Sequence, residues 1–160
     1  MRVEKIQGDL TEQRDVDALV NAWNRNIIPW WLLIPQGVSG ALKRRAGTGP
    51  FRELGYRPLP LGDARMTSAG NLPNKAIIHV AGIDMLWRAS EASISDSVVS
   101  AVRMAIDARF QSIAMPIIGA GSGSFDEEAA SGIILSTLDG LSRDGVANEL
   151  TVRVVRYEGR

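Results

Sequence analysis

The stretch Ile113–Phe125, IAMPIIGAGSGSF, changes character at its midpoint. Its first half is a short apolar run of the kind that forms a strand buried on both faces. Gly119, Ala120, Gly121, Ser122, Gly123 and Ser124 follow, a run rich in glycines that are costly to order on folding. Asp126 to Leu141 then carries Ile134, Leu138 and Leu141 at helical intervals, with Ser124 or Asp126 as the capping residue. Strand, glycine crossing loop and helix in that order make a βα unit, and ligands of open α/β sheets collect where such loops leave the strand ends. Successive backbone amides beside a helix N-terminus form an anion cradle, and missing side chains let a pyrophosphate approach the chain. A tight turn without a ligand fits the same residues, and Glu127 and Glu128 would repel an anion if they faced it. No Gly-Lys-Ser/Thr ending follows, so the loop is not a nucleoside triphosphate P-loop.

Outward from this unit, the segments VDALVNAW, ARMTSA and AIIHVAG join SIAMPII as expected buried strands, with VEKI and LTVRVVRY as expected outer strands near the termini. Helical patterns run over Val38 to Ala46 and Ser93 to Phe110, the latter with Ile94, Val98, Val102 and Ile106 at intervals of four. Alternating strands and helices predict an α/β sandwich around a largely parallel sheet. Thr48 to Gly62, rich in Gly and Pro, is expected to be a loop ordered by packing of Phe51 and Tyr56.

At 160 residues the chain is expected to form one domain, residues 1–160, with a sizeable core. Lys and Arg total 18, as do Asp and Glu, so the summed field does not attract a nucleic acid or an anionic membrane, and any phosphate must be held locally. The absence of cysteine excludes disulfides, zinc-thiolate sites and thiol nucleophiles, and a single His excludes a histidine-rich metal centre. A metal-independent protein without a cofactor is expected. The N-terminal residues lack a signal-like apolar segment, and IIPWWLLIP is too short to cross a bilayer, so a cytoplasmic location is expected.

A second loop, within NAWNRNIIPWWLLIPQGVSGALKRRAG from Asn21, leaves one strand and enters a helix through Pro35, Gln36, Gly37 and Val38, offering amides to the same anion. Asn21 and Asn24 suit ribose hydroxyls, or else serve Asx turns at the strand end. Trp23, Trp30 and Trp31 either stack on a base or fill a core. Asp9 can accept from an exocyclic amine such as that of adenine, or cap a turn. His79 lies in the middle of a strand and is expected to be buried rather than catalytic.

Five blocks, GDLT at Gly8, DALVNAWN at Asp17, QGVSGALKRRAG at Gln36, GDARMTSAGNLPNKAIIHVAG at Gly62 and SIAMPIIGAGSGSF at Ser112, resemble a macrodomain in order and approximate spacing. The resemblance implies a three-layer α/β/α fold with a central mixed, largely parallel sheet, and a site for ADP-ribose. It assigns Asp9 to the adenine amino group, with Leu10 assisting through its backbone, and Asn24 to the distal ribose. Gln36, Gly37 and Val38 resemble the first loop beside the diphosphate; Gly119, Ala120, Gly121, Ser122, Gly123 and Ser124 resemble the second; Phe125 is similar to the aromatic beside the distal ribose. The chain departs from the family pattern at Ala22-Trp23, where two alanines are usual, and at Pro35-Gln36-Gly37, where three glycines are usual. Gly123 stands where some Glu/Asp-directed hydrolases of the family have an aspartate, and no lysine lies near Arg88.

The function expected from this resemblance is hydrolysis of mono-ADP-ribose from a modified protein substrate, at ester-linked acidic side chains as in bacterial Glu/Asp-directed hydrolases. Asn24 would orient the distal ribose and Arg88 would assist electrostatically, since a guanidinium is no base at neutral pH. A non-catalytic reader of ADP-ribose, and a hydrolase of O-acetyl-ADP-ribose or of ADP-ribosylated nucleic acid, are the alternatives.

Overall fold

The computed structural model describes residues 1–32, 37–121 and 123–158. Its six strands are β1 (Arg2–Gln7), β2 (Ala18–Trp23), β3 (Ala64–Thr67), β4 (Ala76–Ala81), β5 (Ser112–Pro116) and β6 (Thr151–Arg156), in the order β1-β6-β5-β2-β4-β3. All neighbouring pairs are parallel except β3 with β4. The helices are α1 (Gly37–Ala46), α2 (Gly49–Leu54), α3 (Glu91–Asp107) and α4 (Glu127–Arg143), and a short 3-10 turn covers Leu10–Glu12. Two expectations about the strands need correction. β6 lies inside the sheet between β1 and β5, and the expected buried strand around ARMT is instead the antiparallel edge strand β3, with Met66 exposed.

Side chains alternate across a strand with period two, and that alternation divides the core into two layers. One face presents Ala18, Val20, Ile78, Val80, Ile113, Met115, Val152 and Val154 to Ile94, Val98 and Val102 of α3 and Ile134 and Leu138 of α4. The opposite face presents Leu19, Ile77, Ala114 and Val155 to Leu42 and Ala46 of α1 and to Leu10. Every residue of β4 is buried, which explains why that segment reads as an unbroken apolar run around one histidine. The expected loop after α1 contains the helix α2, started by Pro50 in its first turn; its Phe51 joins Trp23 and Leu54 in a third small cluster, while Tyr56 is exposed and does not order the segment as expected. The helix boundaries follow local chemistry: Ser90 and Ser93 form a capping box at α3, and Asp126 caps α4 by accepting from Ala129 N at 2.9 Å.

Candidate functional site

The C-terminal ends of β5, β2 and β4 converge on a cleft of two chambers. The larger, about 480 Å³, is walled by Gly8 to Thr11 after β1, by Gly37, Val38, Ala41 and Arg44 of α1, by Ala120 and Gly121, and by Tyr157. A smaller chamber of about 90 Å³ continues from Gly37, Val38 and Gly121 toward Trp23, Gly82, Ile83, Gly119 and Gly123. The cleft therefore runs between the two loops singled out in the sequence.

Asp9 occupies the larger chamber. Its Oδ1 accepts from Thr11 N at 2.8 Å and Thr11 Oγ1 at 2.7 Å, capping the 3-10 turn, while Oδ2 has no hydrogen-bond partner among the described residues. Asp9 thus caps a turn and still offers an acceptor to an amine. Leu10 is buried in the same wall.

The glycine loop is held by close packing. Gly119 has φ of +91° and is buried, and a Cβ there would lie 2.9 Å from Ala89 Cβ. A Cβ on Gly123 would lie 2.6 Å from Gly119 O. Phe125 N donates to Gly119 O at 3.0 Å and Ser124 N to Gly121 O at 3.1 Å, folding the loop back on itself. Bare backbone is needed here for the loop's own closure as well as for any approaching ligand.

Several expected site residues are placed elsewhere. Asn21 is fully buried beneath the cleft: its Nδ2 donates to His79 Nδ1 at 3.0 Å, and its Oδ1 accepts from Ser39 Oγ at 2.7 Å. With its amide engaged on both sides, Asn21 cannot meet a ribose in this arrangement. His79 Nε2 lies 2.9 Å from Thr67 Oγ1, so the imidazole bridges β2 and β3. Burial, with a smaller contribution from the Arg65 charge, pushes the His79 pKa down to about 3 and keeps the ring neutral. Asn24 accepts from Asn26 N at 2.6 Å in an Asx turn. Arg88 is exposed, with Nε 3.8 Å from Asp84 Oδ2. Neither Asn24 nor Arg88 is among the residues lining the two chambers. Phe125 packs against the core shared with α3 and α4 and also lies outside those walls. Gln36 and Ser122 fall outside the described residues.

The three tryptophans considered for stacking take different roles. Trp23 is core and chamber wall, Trp30 packs beside it with the Lys43 ammonium 5.2 Å from its ring, and Trp31 is exposed.

Arg44, Tyr157 and Ser39 were missed from the sequence. Arg44 shares a helix face with Gly37 and Ala41, so the three- and four-residue spacing on α1 could have revealed it. Tyr157 carried no such signal, because only sheet order brings the end of β6 beside Asp9. Glu127 does line the larger chamber, but Arg156 Nε holds it at 3.1 Å and Arg156 Nη1 holds Glu128 at 2.5 Å. The hydrogen bond from Arg156 lowers the Glu128 pKa and keeps that carboxylate charged and paired. The first-turn acids are thereby partly neutralised beside the cleft. Among the described residues no group of three or more His, Asp or Glu is placed to hold a metal ion, and no helix is long and apolar enough to cross a membrane.

A family model described as Macro domain matches residues 20–134. A Macro domain-containing protein of Methanosarcina mazei is 36% identical over 140 residues, covering 84% of this chain and 71% of the relative. An O-acetyl-ADP-ribose deacetylase of Citrobacter rodentium is 34% identical over 148 residues, covering 86% of this chain and 78% of the relative. Among solved structures, the Oceanobacillus iheyensis macrodomain with ADP superposes with a TM-score of 0.83 at 26% identity, covering 99% of this chain and 84% of that one. A variant of the same macrodomain with ADPR gives a TM-score of 0.83 at 26% identity, over 99% and 86%. By fold, by cleft and by the extent of these matches, the chain belongs to the macro domain family.

Proposed function

We propose that the cleft binds ADP-ribose and that the chain hydrolyses an ester at the distal ribose, acting as a mono-ADP-ribosyl hydrolase on proteins modified at acidic side chains. The observation that carries this reading is the arrangement of the larger chamber. The spare Oδ2 of Asp9 suits an adenine amine at one end, while Gly37, Ala120, Gly121 and Arg44 suit a diphosphate further along. The smaller chamber beyond them would receive the distal ribose. Relatives named as O-acetyl-ADP-ribose deacetylases, and a similar structure holding ADPR, support the ligand class and the hydrolytic chemistry.

Among the described residues the smaller chamber is lined by no Asp, Glu or His, and the only histidine is buried, neutral and bonded through both ring nitrogens. In this proposal the bound diphosphate holds the attacking water, while Asn24 and Arg88, which stand outside the chamber walls, turn inward when the ligand binds, Asn24 to orient the distal ribose and Arg88 to stabilise charge developing on the leaving carboxylate. The names of the relatives favour a second reading, in which the ester is the acetyl group of O-acetyl-ADP-ribose. Both substrates present an ester on the same sugar.

The test is to incubate the protein separately with glutamate-linked mono-ADP-ribosylated protein and with O-acetyl-ADP-ribose, quantify ADP-ribose released over time, and titrate free ADP-ribose calorimetrically. Release from the protein supports the first reading, and release from the acetyl ester alone supports the second. Binding without either marks a reader, and an Arg88→Ala variant with an unchanged rate removes Arg88 from the mechanism.

A further inference from the structure

Most large apolar side chains exposed among the described residues gather at one end of the molecule. Ile27, Trp31 and Leu32 stand on the segment after β2, and Met85, Leu86 and Trp87 on the turn after β4. Those two strands are parallel neighbours with Trp23 beside Ala81, so both segments leave the sheet side by side. Tyr56 and Leu61 join them, because β3 runs antiparallel to β4 and begins where β4 ends. Met85, Leu86, Leu32 and Trp31 are 67%, 66%, 61% and 59% exposed. A concentration of this kind marks an interaction surface, whereas single exposed apolar residues need no explanation.

The backbone beneath these side chains is firmly held. Asp84 Oδ1 accepts from Leu86 N at 2.8 Å and Arg88 N at 3.0 Å, and Asp84 N donates to Arg88 O at 2.8 Å. This closed turn keeps Trp87 at φ of +59°, a left-handed conformation uncommon for so large a side chain. Ala89 N donates to Gly123 O at 3.1 Å, which fastens the turn to the glycine loop of the cleft. On the other segment, buried Asn26 donates to Gly55 O at 3.0 Å and Arg57 O at 2.9 Å. Both segments are therefore anchored beside wall residues of the smaller chamber and form a ledge at its mouth. Arg25 and Arg57 add guanidinium groups to it beside Asp63, whereas Arg88 lies 3.8 Å from Asp84 within the turn. Arg65 directs its guanidinium to the carbonyls of Leu54, Arg57 and Pro58.

We propose that this apolar ledge, with Arg25 and Arg57 at its edge, receives the polypeptide that carries the ADP-ribose, through apolar side chains and carboxylates flanking the modified residue. The inference rests on the reading of the cleft as an ADP-ribose site, since continuity with the smaller chamber places the ledge where an attached group would emerge. Aliphatic Ile27, Leu32, Met85 and Leu86 outnumber the aromatic planes on which nucleobases stack, which favours a polypeptide over a nucleic-acid strand.

The test uses two peptides mono-ADP-ribosylated on one glutamate through a hydrolysis-resistant linkage, one flanked by Leu, Phe and Glu and the other by Gly and Ser. Calorimetry compares their affinities, and that of free ADP-ribose, for the wild type and for a Leu32→Ser, Met85→Ser, Leu86→Ser variant. The wild type is expected to bind the apolar, acidic peptide about 10-fold more tightly, equivalent to burying one apolar side chain. The variant is expected to bind both peptides alike and free ADP-ribose as the wild type does. Equal binding of the peptides by the wild type, or a preference that survives in the variant, overturns the proposal. So does a self-associated wild type that the substitutions make monomeric, or tighter binding of a single-stranded oligonucleotide than of either peptide. If the wild type fails to bind free ADP-ribose, the reading of the cleft falls; the unmodified forms of the two peptides then judge the ledge separately by the same preference.

Discussion

At the scale of the residue, Asp9 shows how one carboxylate serves two purposes. Oδ1 closes the turn at Thr11, and Oδ2 remains available to a ligand. An Asp9→Ala variant should lose about 10- to 100-fold in affinity for ADP-ribose, the usual worth of a hydrogen bond to a charged group. It should also stop distinguishing ADP-ribose from its hypoxanthine analogue, which lacks the exocyclic amine; calorimetry with both ligands checks this. His79 makes a different prediction. It is neutral in the folded protein, with its pKa lowered from 6.5 to about 3, whereas the unfolded chain binds a proton below 6.5. Its stabilising contribution is complete above that value and declines as pH falls, by about 1.4 kcal/mol per pH unit, until the folded pKa is reached. Denaturant titrations from pH 7 to 4 should show this slope, and His79→Gln should flatten it.

At the scale of the element, the glycine loop and the start of α4 act together. Gly123→Ala would drive a Cβ to within 2.6 Å of Gly119 O and 2.9 Å of Ile83 Cγ2. A cost of about 1–3 kcal/mol is expected, with weaker ADP-ribose binding because the cradle must open. Gly121→Ala meets nothing within 4 Å and should change stability by less than about 0.5 kcal/mol, as thermal denaturation of the pair would show. The charge of α4 gives a further test: Arg156→Ala releases Glu127 and Glu128 beside the cleft. ADP-ribose affinity should fall about threefold at low salt, with the deficit shrinking as salt screens the repulsion, measured by titration at two ionic strengths. The spacing in IAMPIIGAGSGSF made this strand, loop and helix legible in advance, because apolar run, glycines and capping acid are adjacent in the chain. β3 was less legible, since four short residues carry no mark of being an edge.

At the scale of the whole molecule, the two core layers are built on one sheet, and the cleft draws on the ends of several strands at once. Binding should therefore stabilise the fold as a unit. ADP-ribose at 100 times its Kd should add about 2.7 kcal/mol and raise the Tm by about 5–10 °C for a chain of this size. Scanning calorimetry at several ligand concentrations checks that the rise follows mass action.

The sequence by itself determined the α/β class, the approximate extents of α1, α3 and α4, the burial of His79 and the position of the glycine loop, because periodicity, capping and backbone freedom are properties of neighbours in the chain; the short α2 reads as loop. Family resemblance extended that to the ligand class. Only the tertiary structure decided that β6 is interior, that Asn21 turns inward to His79, and that Arg44 and Tyr157 face the same chamber. It alone paired Arg156 with the acids of α4 and gathered the exposed apolar residues at one end. These features depend on which strand lies beside which and on the direction each side chain takes across a face. Such relations join residues distant in sequence, and no local pattern encodes them.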